Sequence, residues 1–372
     1  MMYLIENFCC NCYYSSMLND TLPLVSIIIA TFNSGKVLPR VLEAVRKQNY
    51  PQNKIEIFTV DGGSTDDTRE IAQKYNCIIL DNPKTEPVYA RFIGLQNAKG
   101  RYVITIDHDE VLANPDSIKN RVEALTEHPE CKAALCSGYK RPDKYPLLNQ
   151  YISDFGDPYS LYTYHCPKDF SVFSKFLTKK YKMIYESDNY FQFKITKNVK
   201  NLIVELICAA TMIDLEYFKS FLTGNYTTDS SILCHLFYCM IDKGNNTIIV
   251  TKNDPLVHYS VDSLKAYWPK LKWRIINNVH FPEKAADGAT GRAVYQKINP
   301  LKKYFFIIYS FTMFFPLLEG IILSVQRKNV IYLMHPLFCI YVAVQILWQY
   351  FRKIINKPPV FSSYDGKKKL ER

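Results

Sequence analysis

The run Val25-Ser26-Ile27-Ile28-Ile29-Ala30-Thr31 constrains the fold of this 372-residue chain more than any other stretch. It is a continuous apolar run, the mark of a strand buried on both faces, and such strands occur in parallel sheets covered by helices on each side. The pattern then alternates. Val37, Leu38, Val41, Leu42 and Val45 recur at helical spacing, and Ile55 to Val60 reads as a second strand. Asp66 to Tyr75 reads as a helix that Ser64 or Thr65 can cap. Cys77 to Leu80 is a third strand, Pro87 to Ala98 a helix closed by Gly100, Tyr102 to Ile106 a fourth strand, and Pro115 to Glu127 a helix. Strand and helix in alternation predict an α/β fold with a mainly parallel central sheet flanked by helices.

Regularity fades after Gly138. Residues 139–200 are rich in Tyr, Phe and Lys and carry no pattern that assigns elements. Beyond them, Ile203 to Met212 reads as a strand, Asp214 to Phe221 and Ser230 to Lys243 as helices, and Ile248-Ile249-Val250 as a strand. Residues 262–278 form a basic aromatic helix with Trp268, Lys270, Lys272, Trp273 and Arg274, suited to the lipid headgroup level or to an ordinary protein surface.

Residues 304–326 and 330–351 are apolar stretches, each near the roughly 20 residues that cross a bilayer. Arg327-Lys328-Asn329 joins them tightly, and Lys302, Lys303, Arg352, Lys353 and Lys367-Lys368-Lys369 lie beyond the outer ends. A hairpin with that charge distribution puts the large domain in the cytoplasm. Pro316 and Glu319 weaken the first span, and two helices lying in the interface are the alternative. The chain divides into an extension (1–22), two halves (23–138 and 139–280), a linker (281–303), the apolar pair (304–351) and a basic tail (352–372).

A net charge of +11 allows nucleic acid, an anionic membrane or a phosphate-rich substrate as partner. No nucleic-acid-binding signature is visible, so membrane lipids and phosphate are expected and nucleic acid is not. The 11 cysteines lie singly apart from Cys9, Cys10 and Cys12, and the count points to free thiols in a reducing compartment. Cys234, His235 and Cys239 share one apolar helix and read as core packing. The first 20 residues contain no Lys or Arg and so lack the basic start of a secretory signal.

In an open parallel sheet, ligands sit beyond the carboxyl ends of the strands. Three polar clusters fall there: Thr31-Phe32-Asn33, Asp61-Gly62-Gly63-Ser64-Thr65-Asp66-Asp67, and Asp107-His108-Asp109. No GxGxxG follows the first strand and no GxxxxGK[ST] occurs, which disfavours a dinucleotide fold and excludes a P-loop as usually written. Asp107 and Asp109 could hold a divalent cation against a diphosphate; each cluster alone could also be only a turn, a cap or a solvated loop.

With Ala90-Arg91-Phe92-Ile93-Gly94 and Ala98-Lys99-Gly100-Arg101-Tyr102-Val103 added, residues 24 to about 126 resemble the nucleotide-sugar half of a family 2 glycosyltransferase of the GT-A fold. The resemblance implies that Thr31 and Asn33 border the nucleotide pocket and that Asp61 accepts hydrogen bonds from base or ribose. It implies that Arg91 approaches the diphosphate, that Asp107 lies near the ribose or metal, and that Asp109 binds Mg²⁺ or Mn²⁺. A hard cation fits oxygen ligands and substrate phosphates. His108 replaces the commoner small or acidic middle residue and is expected to point away from the metal. By the same resemblance, Asp229 in Thr227-Thr228-Asp229 is the candidate base, or else a helix cap, with Thr228 where an acid is usual. His258 in Leu256-Val257-His258-Tyr259 matches a later His that assists metal or phosphate binding.

The implied activity is inverting transfer of a sugar from a nucleoside-diphosphate sugar to a lipid-linked or glycan acceptor on the cytoplasmic membrane face. A polyprenyl-phosphate glycosyl synthase, a soluble-acceptor transferase of the same family and an inactive sugar-nucleotide-binding scaffold stay open. A nucleotidyltransferase would normally carry a Gly- and Arg-rich loop after the first strand, where this chain has Thr31-Phe32-Asn33-Ser34-Gly35.

Overall fold

The structure, a computed structural model, describes residues 21–195, 210–222, 232–281, 301–360 and 362, without the side chains of Cys234, His235 and Lys303. Asp229 with Thr227 and Thr228, the strand expected from Ile203 up to residue 209, most of the extension and of the linker, and the Lys-rich tail lie outside the described residues.

The first half alternates as expected: β1 (Val25–Thr31), α1 (Leu38–Arg46), β2 (Ile55–Asp61), α2 (Thr68–Lys74), β3 (Ile78–Asp81), α3 (Pro87–Asn97) and β4 (Tyr102–Asp107). Then come β5 (Glu110–Leu112), α4 (Ser117–Glu127), β6 (Ala133–Leu135), β7 (Tyr139–Lys140), α5 (Leu148–Phe155), α6 (Pro158–Tyr164), α7 (Phe170–Lys180), β8 (Lys182–Glu186) and β9 (Tyr190–Lys194). After β10 (Met212–Asp214) follow α8 (Leu215–Leu222), α9 (Ile232–Asp242), β11 (Thr247–Thr251), β12 (Leu256–His258) and α10 (Leu264–His280). The C-terminal part holds α11 (Lys302–Thr312), α12 (Phe314–Arg327), a 3-10 turn (Val330–Met334) and α13 (His335–Ile354).

Nine strands form one sheet in the order β3-β2-β1-β4-β10-β6-β11-β9-β8. The first four pair in parallel. The short β10 is antiparallel to both β4 and β6. This is the α/β, GT-A-like arrangement expected: a mixed, mainly parallel sheet between helices. It crosses residue 138 without interruption. A second, separate sheet has the order β5-β12-β7, and its β5 follows directly after β4.

β1 is buried on both faces because adjacent side chains point to opposite cores. Ile28 packs with Phe58, Val60 and Val103 on one side, and Ile27 and Ile29 with Ile57 and Ile104 on the other. Helix α3 lies close on β1: a Cβ at Gly94 would fall 2.4 Å from Cγ2 of Ile28. That approach fixes where the buried Arg91, three residues earlier, can reach.

Two expectations need correction. Helix α2 starts at Thr68, and neither Ser64 nor Thr65 caps it; the Ser64 hydroxyl donates to Asp61 Oδ1 at 2.5 Å instead. The first apolar stretch is not one helix. It breaks at Met313, whose φ is +56°, and α11 and α12 meet at a 79° bend. α13, with its preceding 3-10 turn, is long and apolar enough to cross a membrane, and the bent pair would count as a second span only if taken as one.

Candidate active site

Strand register brings the three polar clusters to one rim. Thr31 pairs with Asp61 across β1 and β2, and Ala30 with Asp107 across β1 and β4. Neighbouring strands lie about 4.8 Å apart, so the two carboxylates flank the end of β1.

Asp61 is 2% exposed and accepts from Thr31 Oγ1 at 3.3 Å, Ser64 N at 3.0 Å, Ser64 Oγ at 2.5 Å and Arg69 at 3.3 Å. Four donors match the capacity of a carboxylate. Asn33, in the left-handed region at φ +49°, donates its N–H to Ser64 Oγ at 2.8 Å and accepts from Thr65 N at 2.9 Å. Asp66 accepts from Gly35 N at 3.0 Å and from Thr68 N at 3.2 Å. The second cluster therefore stitches the loop after β1 to the loop after β2.

Arg91 is buried, and its guanidinium pairs with the half-buried Asp107. His108 turns its Nδ1 toward Ala30 O at 3.4 Å. Asp109 is delivered by the turn into β5, where β12 runs antiparallel and sets His258 opposite Glu110. Tyr259 N donates to Asp109 O at 2.7 Å, and His258 Nε2 lies 3.5 Å from Asp109 Oδ2.

The imidazole is oriented from behind. Ser153 on α5 donates to Asn149 Oδ1 at 3.4 Å, and its oxygen lies 3.1 Å from His258 Nδ1. Asn149 Nδ2 donates to His258 O at 3.0 Å. An imidazole nitrogen facing a carboxylate needs positive charge between them: a proton on Nε2, or a divalent cation taking both lone pairs. Burial pushes the Asp109 carboxyl up, but His258, His108 and Lys270 outweigh it and hold the group well below the usual carboxylate range.

No group of three or more His, Cys, Asp or Glu among the described residues could enclose a metal ion. Asp107, expected beside Asp109 as a ligand, makes its ion pair with Arg91. The chain offers an oxygen and a nitrogen at Asp109 and His258. That pair fits Mg²⁺ or Mn²⁺, which commonly complete their shells with water and substrate phosphate.

Three contributors were missed in the sequence. Glu110 is buried, accepts from Tyr139 OH at 2.7 Å and from Asp107 N at 3.1 Å, and is pushed up to about 7 by burial and by the Asp107 charge. Its place next to Asp109 was the only available signal. Ser153 lay in the stretch without pattern. Lys270 stands on the helix expected at the headgroup level, beside a lipid phosphate or on an ordinary protein surface. Its ammonium donates to Ser260 Oγ at 3.2 Å and is drawn down to about 8 by burial and by Arg274, against the pull of Asp109 and Asp107. It follows Pro269, which lies inside α10.

The approach of β12 to this rim depends on a buried pair. Arg121 on α4 donates to Asp254 Oδ2 from Nε at 3.0 Å and from a terminal nitrogen at 2.7 Å, with both residues fully buried.

Several known proteins resemble parts of this chain. "Glycosyltransferase AglE" of Haloferax volcanii is 33% identical over 98 residues, covering 25% of this chain and 32% of that protein. A "Dolichyl N-acetyl-alpha-D-glucosaminyl phosphate 3-beta-D-2,3-diacetamido-2,3-dideoxy-beta-D-glucuronosyltransferase" of Methanococcus voltae is 38% identical over 106 residues, covering 27% and 33%. "Poly(ribitol-phosphate) beta-N-acetylglucosaminyltransferase TarS" of Staphylococcus aureus is 30% identical over 109 residues, covering 28% and 19%. The chain thus matches about a third or less of these relatives' length. Among solved structures, the mannosyltransferase PcManGT from Pyrobaculum calidifontis, in complex with GDP-Man and Mn²⁺, has a TM-score of 0.49 at 16% identity, over 89% of this chain and 88% of that one. Residues 26–219, just over half of the chain, match the profile of glycosyl transferase family 2, and those residues include β1, β2, β4 and the Asp107-His108-Asp109 turn; the chain belongs to that family.

Proposed function

We propose that this chain moves a sugar, with inversion, from a nucleoside-diphosphate donor to a lipid-linked or glycan acceptor at the cytoplasmic face of a membrane. The observation that carries the reading is the Asp109–His258 pair, set between Arg91 and Lys270 at the strand ends. A departing diphosphate needs positive charge; Arg91 and Lys270 border this acidic rim, and a divalent cation on Asp109 and His258 would supply the rest. The names of two relatives, one dolichyl-linked and one acting on poly(ribitol phosphate), support the acceptor class.

In this reading Asp109 and His258 hold a divalent cation, with Asp107 beside it. The cation, when bound, neutralises the leaving diphosphate. Thr31, Asn33 and Asp61 border the nucleoside, and Arg91 approaches the phosphates. The acceptor oxygen attacks the anomeric carbon, the bond from that carbon to the phosphate oxygen breaks, and the electron pair leaves with the diphosphate. A hydroxyl acceptor gives its proton to Asp229. A lipid phosphate, already ionised, needs no base.

A thermal-shift screen of nucleotide sugars with and without Mn²⁺ tests this, because a ligand that binds the folded state raises its stability by mass action. The expected result is a shift for at least one donor that depends on Mn²⁺ and vanishes in Asp109→Ala. A donor shift of full size without a divalent cation, kept in Asp109→Ala, would remove the assignment.

A further inference from the structure

α13 with its 3-10 turn, and α11 with α12 if taken as one span, are long and apolar enough to suggest crossing a bilayer, but their attachments forbid it. α10 runs beside α13 from one end to the other. Tyr267 meets Phe338 at 5.4 Å between ring centroids, Tyr341 OH donates to Trp268 O at 3.2 Å, His280 lies 3.2 Å from Gln349, and Lys353 Nζ donates to Val279 O at 3.0 Å. α10 also carries exposed Lys265 and Lys272, and its Lys270 faces the acidic rim. A helix with that many cations cannot follow α13 into hydrocarbon.

The turn after α12 is tied down as well. Arg327 Nε donates to Asp154 Oδ2 at 2.9 Å, with side chains 5% and 0% exposed. Asn329 Nδ2 donates to Leu147 O at 3.2 Å and to Gln150 Oε1 at 2.7 Å. A spanning hairpin would place this turn roughly 30 Å from the catalytic domain, across the hydrocarbon.

Yet the outer surface is strongly apolar. Phe311, Phe314, Leu318 and Ile322, and Leu347 and Phe351 of α13, are all between 47% and 64% exposed. An exposed apolar surface of this extent marks an interaction site. Lys328, Arg352, Lys353 and Lys357 stand at the helix ends, and Trp348 is half exposed beside them. Cations and an indole bordering apolar helices complement an anionic lipid surface.

We infer that α11, α12 and α13 lie in the plane of the membrane and that an anionic lipid surface covers their outer face, with no segment of the helical layer crossing the bilayer. This goes beyond the transfer reading by specifying how the site meets the membrane.

The test uses the full chain with sealed vesicles, either zwitterionic or containing one-quarter anionic lipid. The protein is expected to float with the anionic vesicles and at least about tenfold less with the zwitterionic ones at physiological salt, because surface electrostatics add to apolar insertion. A membrane-impermeant amine reagent is expected to label Lys328 equally before and after detergent opens the vesicles. Labelling only after opening overturns the in-plane placement. Flotation indifferent to lipid charge overturns the anionic assignment. Failure to float, with a concentration-dependent dimer in light scattering, gives the face to a second copy of this chain. Leu318→Glu with Leu347→Glu is expected to release the protein from vesicles; the Lys328 labelling stands on the wild-type chain should that variant not fold. No readout uses a sugar nucleotide or a cation, so failure here and failure of the transfer reading are separable.

Discussion

The Ser153 hydroxyl lies 3.1 Å from Nδ1 of His258, and Asp154, the next residue along α5, is bound by Arg327. One turn of helix thus orients the candidate metal-binding imidazole and anchors the apolar helices.

Outer partners of a ligating imidazole fix its orientation and typically alter metal affinity by 10–100-fold. Ser153→Ala is therefore expected to raise the Mn²⁺ concentration needed for half-maximal donor binding by about tenfold, read by calorimetric titration, with little change in melting temperature. Unchanged Mn²⁺ dependence would show that Ser153 does not tune metal binding through His258.

Lys270 gives a pH signature. Its ordinary value near 10.5 is drawn down to about 8 by burial and Arg274, despite Asp109 and Asp107. The ammonium is present below about 8 and is lost as pH rises through that value. Binding of nucleoside diphosphate is expected to weaken from pH 7.5 to 9 in the wild type. Lys270→Arg, which stays charged, should lose that dependence. Parallel pH profiles for the two proteins would exclude a phosphate role for this residue.

Gly94→Ala drives a methyl group into Ile28, where the gap is 2.4 Å. Overpacking of this kind costs about 1–3 kcal/mol. Denaturant unfolding should show that loss, and Ile28→Ala should offset part of it in the double variant, since contacting residues do not add independently. Strict additivity would mean that the helix finds room by moving as a body.

Removing one member of the Arg121–Asp254 pair strands a buried charge, which costs about 3–5 kcal/mol. Arg121→Met is expected to fall in that range by urea unfolding. A value under about 1 kcal/mol would mean that water reaches Asp254 once the guanidinium is gone.

The parallel half of the sheet was legible because β1, β2 and β4 are buried on both faces; their polar ends, with Asp61 and Asp107 on either side of β1, could be assigned to one rim from the strand pattern alone. The stretch from 139 to 200 was not legible. Its α5, α6 and α7 owe their positions to long-range partners such as Asp154 with Arg327, separated by 173 residues, rather than to any local period. Lys270 was hidden for the same reason: its helix looked amphipathic, and only packing on α13 turns that side chain toward Asp109. Met313 was invisible too, since a break at positive φ in an apolar run has no compositional mark.

Pro269 has no N–H to give the carbonyl four residues earlier, so α10 loses a rung of its ladder immediately before Lys270. The carbonyl of Lys265 is therefore left to find a partner outside the ladder, and the ring's fixed φ, rather than a hydrogen bond, sets the backbone that presents the ammonium.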